Sequence, residues 1–271
     1  MPKGPSTPLT KAPPSQRLGA IVLYRIEVGE ADLIVTFLTR EMGIISAYAK
    51  NARKSVKRFG GGLLAPGAAA YYFFRIRENR DLYFVERGEM NPKAPVLPPD
   101  PLIQLFAAQG LELTRAFEVP KNPAVPTFNL LIRYLDKLAH SEELTPPYLA
   151  LRTLALAFHK LYLEISGFGL TFSHCALCGK LAQDENWFWD KRHPRLLCPE
   201  CAQGHGRLPQ IPGALTLALS QIKDFKNLPT LTEPQVLRAE ELFQSRASLE
   251  AGKIFKSYSV LQDYLHHPKE A

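Results

Sequence analysis

The sequence predicts a multidomain α+β protein in which a small N-terminal β-barrel precedes an all-α helical bundle with an inserted four-cysteine element. Three observations support this fold class. Short apolar runs of strand type are confined to residues 16–90, helical periodicity begins after residue 100, and all four cysteines lie within residues 174–205. Residues 91–100 contain four prolines and separate the two patterns, so we expect a boundary there.

The bulk composition is that of an ordinary globular protein of 271 residues, with 46% hydrophobic and 22% charged residues. A chain of this length can form one large domain or a few small ones. No apolar run approaches the roughly 20 residues of a membrane span. The first residues also lack the apolar region of a secretory signal. We therefore expect a cytoplasmic protein with reduced thiols and no membrane association.

The first 15 residues hold five prolines and no apolar periodicity, which predicts a disordered arm. After them the apolar residues recur with the period of two that is typical of half-buried strands. Short polar or glycine-containing turns separate the runs and favour hairpins. Closely spaced strands of this kind predict a small closed barrel. The predicted strands are residues 19–25, 32–39, 43–50, 68–77 and 82–85.

Period-two alternation also predicts which side chains share a face of the barrel. Tyr48 and Lys50 share one face of the third strand, and Phe73, Arg75 and Arg77 share one face of the fourth. Aromatic rings beside cations suit single-stranded nucleic acid, because bases stack on rings while phosphates meet guanidinium groups. The alternative is that tyrosine and phenylalanine fill the barrel while arginine faces water. The pattern alone leaves both interpretations open.

A basic loop that begins at residue 50 indicates nucleic-acid binding more clearly than the strand pattern does. No acidic residue interrupts its cations, and a run of three glycines follows it. Residues 1–90 hold 14 Lys and Arg against 8 Asp and Glu, whereas residues 91–271 hold 19 against 18. The excess positive charge is therefore N-terminal, where mobile cations can adapt to a phosphate backbone without reading sequence. The predicted nucleic-acid contacts are Tyr48, Lys50, Arg53, Lys54, Lys57, Arg58, Arg75 and Arg77.

Apolar residues follow helical spacing in the rest of the chain. Asp100 and Pro101 form a helix start, with an N-cap residue followed by proline at the first helical position. Thr127 is the predicted cap of the second helix. Apolar residues cover most of the circumference of the third helix, which places it at the centre of a bundle. The predicted helices are residues 101–117, a helix after Thr127 whose apolar stripe runs from Leu130 to Leu138, and residues 146–166, 213–225, 233–250 and 254–266.

The strongest motif is a double CxxC pattern in which nineteen residues separate the two pairs. Its members are Cys175, Cys178, Cys198 and Cys201. Four thiolates at this spacing can hold one structural Zn²⁺ tetrahedrally. Disulfides, redox cysteines and incidental cysteines are the alternatives, and a reducing compartment favours the metal. Because four thiolates complete the coordination shell, we expect His174 and His205 to be bystanders or hydrogen-bond partners.

Trp187 and Trp189 lie between the two cysteine pairs. They could stack on bases, but a hairpin between metal knuckles needs a small apolar core, so we predict that they are buried. The neighbouring cations Lys191, Arg192 and Arg195 either extend a nucleic-acid surface or simply face solvent.

Walker, Rossmann, HExxH and nucleophile-elbow motifs are absent from the sequence. A catalytic zinc keeps an open coordination position, which four cysteines do not leave. We therefore expect a non-enzymatic nucleic-acid-binding protein. Two alternatives remain: a zinc-ribbon adaptor or transcription-type factor acting through residues 174–205, and a metal-dependent nucleic-acid enzyme. The lower basic charge of residues 174–205 disfavours the adaptor.

The order of these parts resembles the RecO family of bacterial DNA repair proteins, over roughly residues 16–265. The resemblance is carried by GIISAYAKNARK at residues 43–54, FGGGLL at residues 59–64 and the two cysteine knuckles. It implies an OB-fold and a helical domain interrupted by a zinc-binding element. The implied divisions are an arm at 1–15, the OB-fold at 16–90, a linker at 91–100, the helical domain at 101–170 and 211–271, and the zinc element at 171–210.

The resemblance also implies binding to single- and double-stranded DNA, annealing of complementary strands, and a nucleoid-associated location. RecR and single-strand-binding protein are the implied partners in promoting the loading of RecA. Lys50, Arg53 and Lys54 match the basic segment of the family. The sequence departs from the family pattern at two places. Asn51 stands where the family often has glycine, and residues 194–197 replace a Gly-Gly pair before the second knuckle.

Overall fold

A computed structural model describes residues 14–77, 80–141, 147–182 and 185–266. Nearly all of the predicted N-terminal arm and most of the polar C-terminal tail lie outside these residues. None of the described helices is long and apolar enough to cross a membrane.

The N-terminal part is a closed five-stranded barrel with the strand order β1-β2-β3-β5-β4, which confirms the predicted OB-like barrel. Strand β1 is the longest and pairs with both β2 and β4, so it closes the barrel. A bulge between Val22 and Tyr24 bends it between these two partners. Strands β3 and β5 pair in parallel, and the other neighbours are antiparallel. The strands are β1 Ser15–Val28, β2 Asp32–Thr39, β3 Gly43–Ala49, β4 Ala69–Arg75 and β5 Leu82–Met90.

The barrel interior follows the predicted alternation, and both interpretations of its aromatic residues are partly right. Tyr72 and Phe74 are fully buried and pack around Phe37, with ring centroids 4.7 and 5.1 Å from it. The Tyr72 hydroxyl also donates to the Leu63 carbonyl, which ties the glycine-rich segment over the barrel. Phe73, in contrast, alternates with these residues and lies outside. Aromatic side chains therefore both fill the barrel and line its outer face.

Several details of the barrel differ from the sequence prediction. Strand β1 spans Ser15–Val28, whereas residues 19–25 were predicted, and β4 spans Ala69–Arg75, whereas residues 68–77 were predicted. The basic loop contains a short 3₁₀ turn at Ala52–Lys54 and a one-turn helix, α1, at Val56–Phe59. Strand β5 continues to Met90, five residues beyond its predicted end. Glu86 is the extra residue of a β-bulge in β5, which interrupts the period of two and conceals the rest of the strand in the sequence.

The C-terminal part is helical, and its centre is the predicted one. Helix α4 is buried on all sides from Leu151 to Lys160, as expected of a helix with apolar residues over most of its circumference. The cysteine element adds a small sheet of order β7-β6-β8. The helices are α2 Pro101–Phe117, α3 Val125–Ala139, α4 Pro147–Ile165, α5 Pro199–Ala202, α6 Gly213–Gln221, α7 Glu233–Ala251 and α8 Lys256–His266. The strands are β6 Trp187–Asp190, β7 Arg195–Leu197 and β8 Gln210–Ile211.

The helix starts show one correct and one wrong capping prediction. The Asp100 carboxylate accepts a hydrogen bond of 3.0 Å from the Ile103 N–H, as expected of an N-cap. Thr127 is not a cap, because α3 already begins at Val125. Its buried hydroxyl instead donates to a Glu118 carboxylate oxygen at 2.5 Å, which links the end of α2 to the start of α3.

One side of the barrel is covered by the helical part. Ile21, Leu23 and Leu38 belong to the same buried cluster as the apolar residues of α2 and α3. The backbone N–H of Ala124 donates to the Arg40 carbonyl at 3.0 Å, and the Lys121 ammonium lies 2.8 Å from an Asp81 oxygen. The start of β3 joins this contact, since the Lys121 N–H donates to the Ile44 carbonyl at 3.4 Å. The contacts involve β1, β2, the first residues of β3 and the loop before β5, so the rest of the outer face of β3, β5 and β4 stays open to solvent.

Candidate nucleic-acid interface and candidate metal centre

A lateral row of Tyr48, Phe84 and Arg75 crosses the open face of the barrel. The strand register places Phe84 beside Tyr48 on one side and beside Arg75 on the other. The Tyr48 and Phe84 rings meet edge to face, with centroids 5.7 Å apart and an interplanar angle of 78°. Phe84 is 46% exposed, which is high for a phenylalanine. Two aromatic rings and a guanidinium group therefore stand next to one another in solvent.

A cleft of about 570 Å³ lies beside this row. Five of its lining residues are cations and one is a carboxylate. The lining residues are Lys50, Arg58, Arg75, Arg77, Phe84, Val85, Glu86 and Arg87. The structure therefore brings four of the predicted contact residues into one strongly positive cleft, together with Phe84 and Arg87, which sequence reasoning missed.

The turn that opens the basic loop is held by Asp32. Asn51 has left-handed backbone angles, φ 53° and ψ 32°, a conformation that asparagine tolerates better than most residues. Its N–H donates to one Asp32 oxygen at 2.5 Å, and the Tyr48 hydroxyl donates to the other. These two donors, the Tyr48 hydroxyl first, lower the pKa of Asp32, with a smaller contribution from the Lys50 charge. The turn is thus formed without the glycine that the family often has.

The predicted cations fall into two groups. Arg53 pairs with Glu27 at 3.0 Å, and the Arg58 guanidinium donates to the Ser55 hydroxyl at 2.9 Å and the Lys50 carbonyl at 2.7 Å. These arginines hold the loop to the barrel and to itself. Lys54 and Lys57, by contrast, are exposed and form no ion pair with any of the residues that the structure describes. Of these four loop cations, Lys54 and Lys57 are the ones that a phosphate can reach without breaking an existing contact.

Two more cation–aromatic pairs extend the same outer surface along β4. The Arg17 guanidinium lies 3.6 Å from the centroid of the Tyr71 ring, and the Arg87 guanidinium lies 3.5 Å from that of Phe73. Glu89 lies near both arginines and limits their net charge. The pairing of Arg17 with Phe73 across β1 and β4 is enough to place Arg17 on this outer surface. It does not reveal that the Arg17 guanidinium stacks on the neighbouring Tyr71 ring.

The four cysteines form the candidate metal centre. Their sulfur atoms all lie within 4.8 Å of one another, and the Sγ atoms of Cys178 and Cys198 are 3.6 Å apart. A tetrahedral ion with Zn–S bonds of about 2.3 Å requires neighbouring sulfurs about 3.8 Å apart, so the donor set fits. All four are free thiols, and neither His174 nor His205 joins the cluster among the described residues. The expected ligand set is therefore assembled.

The first knuckle already favours a thiolate. Gly179 has φ +75°, which a glycine adopts without strain, and its N–H donates to the Cys175 carbonyl at 3.0 Å. The Cys175 sulfur accepts hydrogen bonds from the N–H groups of Leu177 at 3.5 Å and Cys198 at 3.4 Å. Burial opposes ionisation here, yet backbone donors lower the pKa of the Cys175 thiol to about 6. A deprotonated sulfur is the form that binds a metal.

The apolar residues of this element are part of the protein core. Trp187 and Trp189 are 0% and 2% exposed, which confirms that they fill the core and leaves neither ring available for a base. The hairpin between β6 and β7 closes without the Gly-Gly pair of the family. The Asp190 carboxylate instead accepts from the Arg192 N–H at 3.0 Å and from the Arg195 guanidinium at 3.2 Å. Arg195 is therefore engaged within the hairpin.

The chain is similar to known proteins over most of its length. The family model for the N-terminal part of recombination protein O matches residues 15–91, and the model for its C-terminal part matches residues 99–245. The DNA repair protein RecO of Syntrophotalea carbinolica is 32% identical over 188 residues, which are 68% of this chain and 69% of the relative. The RecO of Anaeromyxobacter sp. strain K is 32% identical over 220 residues, covering 80% and 83%, and that of Myxococcus xanthus is 30% identical over 231 residues, covering 81% and 85%.

Proposed function

Because this chain belongs to the RecO family of DNA repair proteins, we propose that it is a recombination mediator that binds single- and double-stranded DNA, anneals complementary strands, and is not an enzyme. The observation that carries the proposal is the positive cleft on the open face of the barrel. Cations at the protein surface neutralise phosphates without selecting a sequence, which annealing of arbitrary strands requires. The protein acts in the bacterial cytoplasm, at the nucleoid.

The helical part docks the protein partners in this proposal. RecR and single-strand-binding protein are the partners, and RecA is loaded on the strand that they expose. A groove of about 330 Å³ lies between α3, α4 and the segment after α6. Leu149, Leu154 and Leu228 give it an apolar lining, and the exposed Lys137 and Lys226 add positive charge with no carboxylate in the lining. The acidic tail of single-strand-binding protein has the chemistry that such a groove accepts.

One Zn²⁺ held by Cys175, Cys178, Cys198 and Cys201 is the proposed structural cofactor. When bound, it supplies cross-linking of the two knuckles, and a closed thiolate shell leaves it no position for a substrate. The knuckle residues themselves pack Cys175 and Cys198 into the helical core. The metal therefore supports the fold of the partner-docking region.

The test of the DNA site is a salt titration of binding together with a strand-annealing assay. Replacing Lys50, Lys54 and Lys57 by Ala is expected to weaken DNA binding roughly 10- to 100-fold and to make the salt dependence shallower by about 2 in the log–log slope. The matched control replaces the exposed Lys93, Lys223 and Lys253, which removes the same charge from elsewhere. Equal losses in both triple variants would mean that only the net charge matters and that the barrel is not the site.

The test of the partner groove uses the same annealing assay with strands coated by single-strand-binding protein. Replacing Lys137 and Lys226 by Glu is expected to abolish annealing of coated strands, because like charges then face the acidic tail. Annealing of naked strands should stay within about twofold, since neither lysine lines the barrel cleft. A variant that fails equally on naked strands would contradict a role for this groove in partner docking.

A further inference from the structure

The aromatic rings on the outer face of the barrel are not equivalent. The Tyr71 and Phe73 rings each lie under a guanidinium group, at 3.6 and 3.5 Å from the ring centroid. No cation lies over the Phe84 ring among the described residues, and this ring lines the positive cleft while 46% exposed. Phe84 is therefore the ring in the cleft whose surface a ligand can reach without displacing a protein group.

The position of the Phe84 ring is fixed before any ligand arrives. Its edge-to-face contact with Tyr48 holds one side, and the Tyr48 hydroxyl is itself held by Asp32. On the other side Arg75 is oriented by an ion pair of 2.5 Å with Glu86. A rigid aromatic group loses little conformational entropy on binding, so its contact area is converted efficiently into affinity.

We propose that Phe84 is the stacking platform for one unpaired base and gives this cleft its preference for single-stranded over duplex DNA. The inference rests on the proposed DNA-binding function of the barrel and adds the group that distinguishes the two forms of DNA. Lys50, Arg75 and Arg77 hold the phosphates on either side of the stacked nucleotide. The guanidinium groups meet the backbone, and the ring meets the face of the base.

The selectivity follows from which part of a nucleotide each group can reach. Phosphates are exposed in both single strands and duplexes, so the cations of the cleft bind both forms. The faces of paired bases are covered by their neighbours in the helix, whereas an unpaired base can turn its face to an aromatic ring. The Phe84 ring therefore adds affinity only for the unpaired form.

The experiment measures binding of the full-length protein by fluorescence anisotropy with three probes of equal length. These are oligothymidylate, a blunt duplex, and an abasic strand that keeps the phosphates and lacks the bases. Phe84→Ala is expected to weaken oligothymidylate binding roughly 5- to 100-fold, which is the range for losing one stacked base. Binding of the duplex and of the abasic strand should change less than about twofold, and the salt slope should not change, because no phosphate contact is lost.

Two control variants separate stacking from other effects. Phe84→Trp keeps a platform and should retain oligothymidylate affinity, while Leu82→Ala removes another exposed apolar side chain of β5, 43% exposed, from outside the cleft and should have no effect. Equal weakening on all three probes would show that Phe84 only supports the cations, and no change on any probe would show that no base stacks there; either result overturns the inference. Wild-type protein that binds none of the probes would instead refute the proposed function of the barrel.

Discussion

The barrel and the helical part of the protein place their charges in opposite ways. Among the described residues of β1–β5, Thr39 is the one buried side chain of the polar or charged class, and the cations lie outside. The helical part, in contrast, buries Arg152, His159, Lys160 and Asp190. Arg152 is 1% exposed and pairs with Glu240 at 2.6 Å across α4 and α7. Changes of charge should therefore alter binding in the barrel and stability in the helical part.

The cysteine element resembles the helical part and not the barrel surface, although it contains the strongest motif in the sequence. Its two buried cysteines and two tryptophans join the same apolar cluster as the helices. The basic loop, in contrast, has a weak motif and exposed lysines. A strong sequence signal here marks a requirement for folding, because metal ligands must have fixed spacing. Phosphate contacts tolerate variable spacing and so leave a weaker signal.

The largest expected effect comes from Cys198→Ser. Loss of one thiolate opens the proposed zinc site within the core, so the free energy of unfolding should fall by about 4 kcal/mol or more. DNA affinity of the protein that remains folded should stay within about twofold. Urea denaturation, zinc content and anisotropy on one preparation provide the three measurements. The control is Ala176→Ser, which adds a hydroxyl to an exposed position of the first knuckle, between Cys175 and Cys178, and leaves all four cysteines in place. If Cys198→Ser kept its stability but lost DNA binding, the cysteine element would be a DNA-binding site and not a support for the fold.

The second effect is a loss of stability in acid that originates in the helical part. Burial lowers the pKa of His159 to about 4, and its Nδ1 lies 2.6 Å from the Ala155 carbonyl. An unfolded histidine titrates near 6.5, so between about pH 6.5 and 4 the unfolded state binds the proton more readily. Stability contributed by neutral His159 is complete above pH 6.5 and falls as the pH approaches 4, by about 2–3 kcal/mol near pH 4.5.

The measurement is the free energy of unfolding in urea at pH 7 and pH 4.5 for the wild type and for His159→Phe. The variant has no proton to bind at this position, so its loss between the two pH values should be smaller than that of the wild type by about 2–3 kcal/mol. Protonation of the cysteines in acid affects both proteins equally and cancels in the difference. Identical losses in the two proteins would mean that His159 is not buried in the neutral form.

Sequence reasoning succeeded where the pattern is local. The second strand was predicted with its observed ends, because Asp32–Thr39 is a run of mostly apolar and β-branched residues between two turns. The Asp100 cap was found because its proline neighbour is adjacent in sequence. The prediction that Thr127 caps the second helix was wrong, because its hydroxyl donates to Glu118 instead of accepting from the helix backbone. Phe84 was missed because Tyr48 becomes its neighbour only through the parallel pairing of β3 with β5, and because the antiparallel β4–β5 register that sets it beside Arg75 is shifted by a bulge.

The smallest expected effect concerns Asn51, whose left-handed backbone opens the basic loop. Its bond to Asp32 uses the backbone N–H, which every substitution except proline keeps. Asn51→Gly should therefore change the free energy of unfolding by less than about 0.5 kcal/mol, whereas Asn51→Ala should lower it by about 1 kcal/mol, because alanine is strained at φ 53°. Urea denaturation of both variants measures the difference. If Asn51→Gly lowered the free energy of unfolding as much as Asn51→Ala, the asparagine side chain itself would be required, and not only a residue that tolerates the left-handed turn. The loop would then depend on specific side-chain contacts, which a loop that only presents lysines to phosphates does not need.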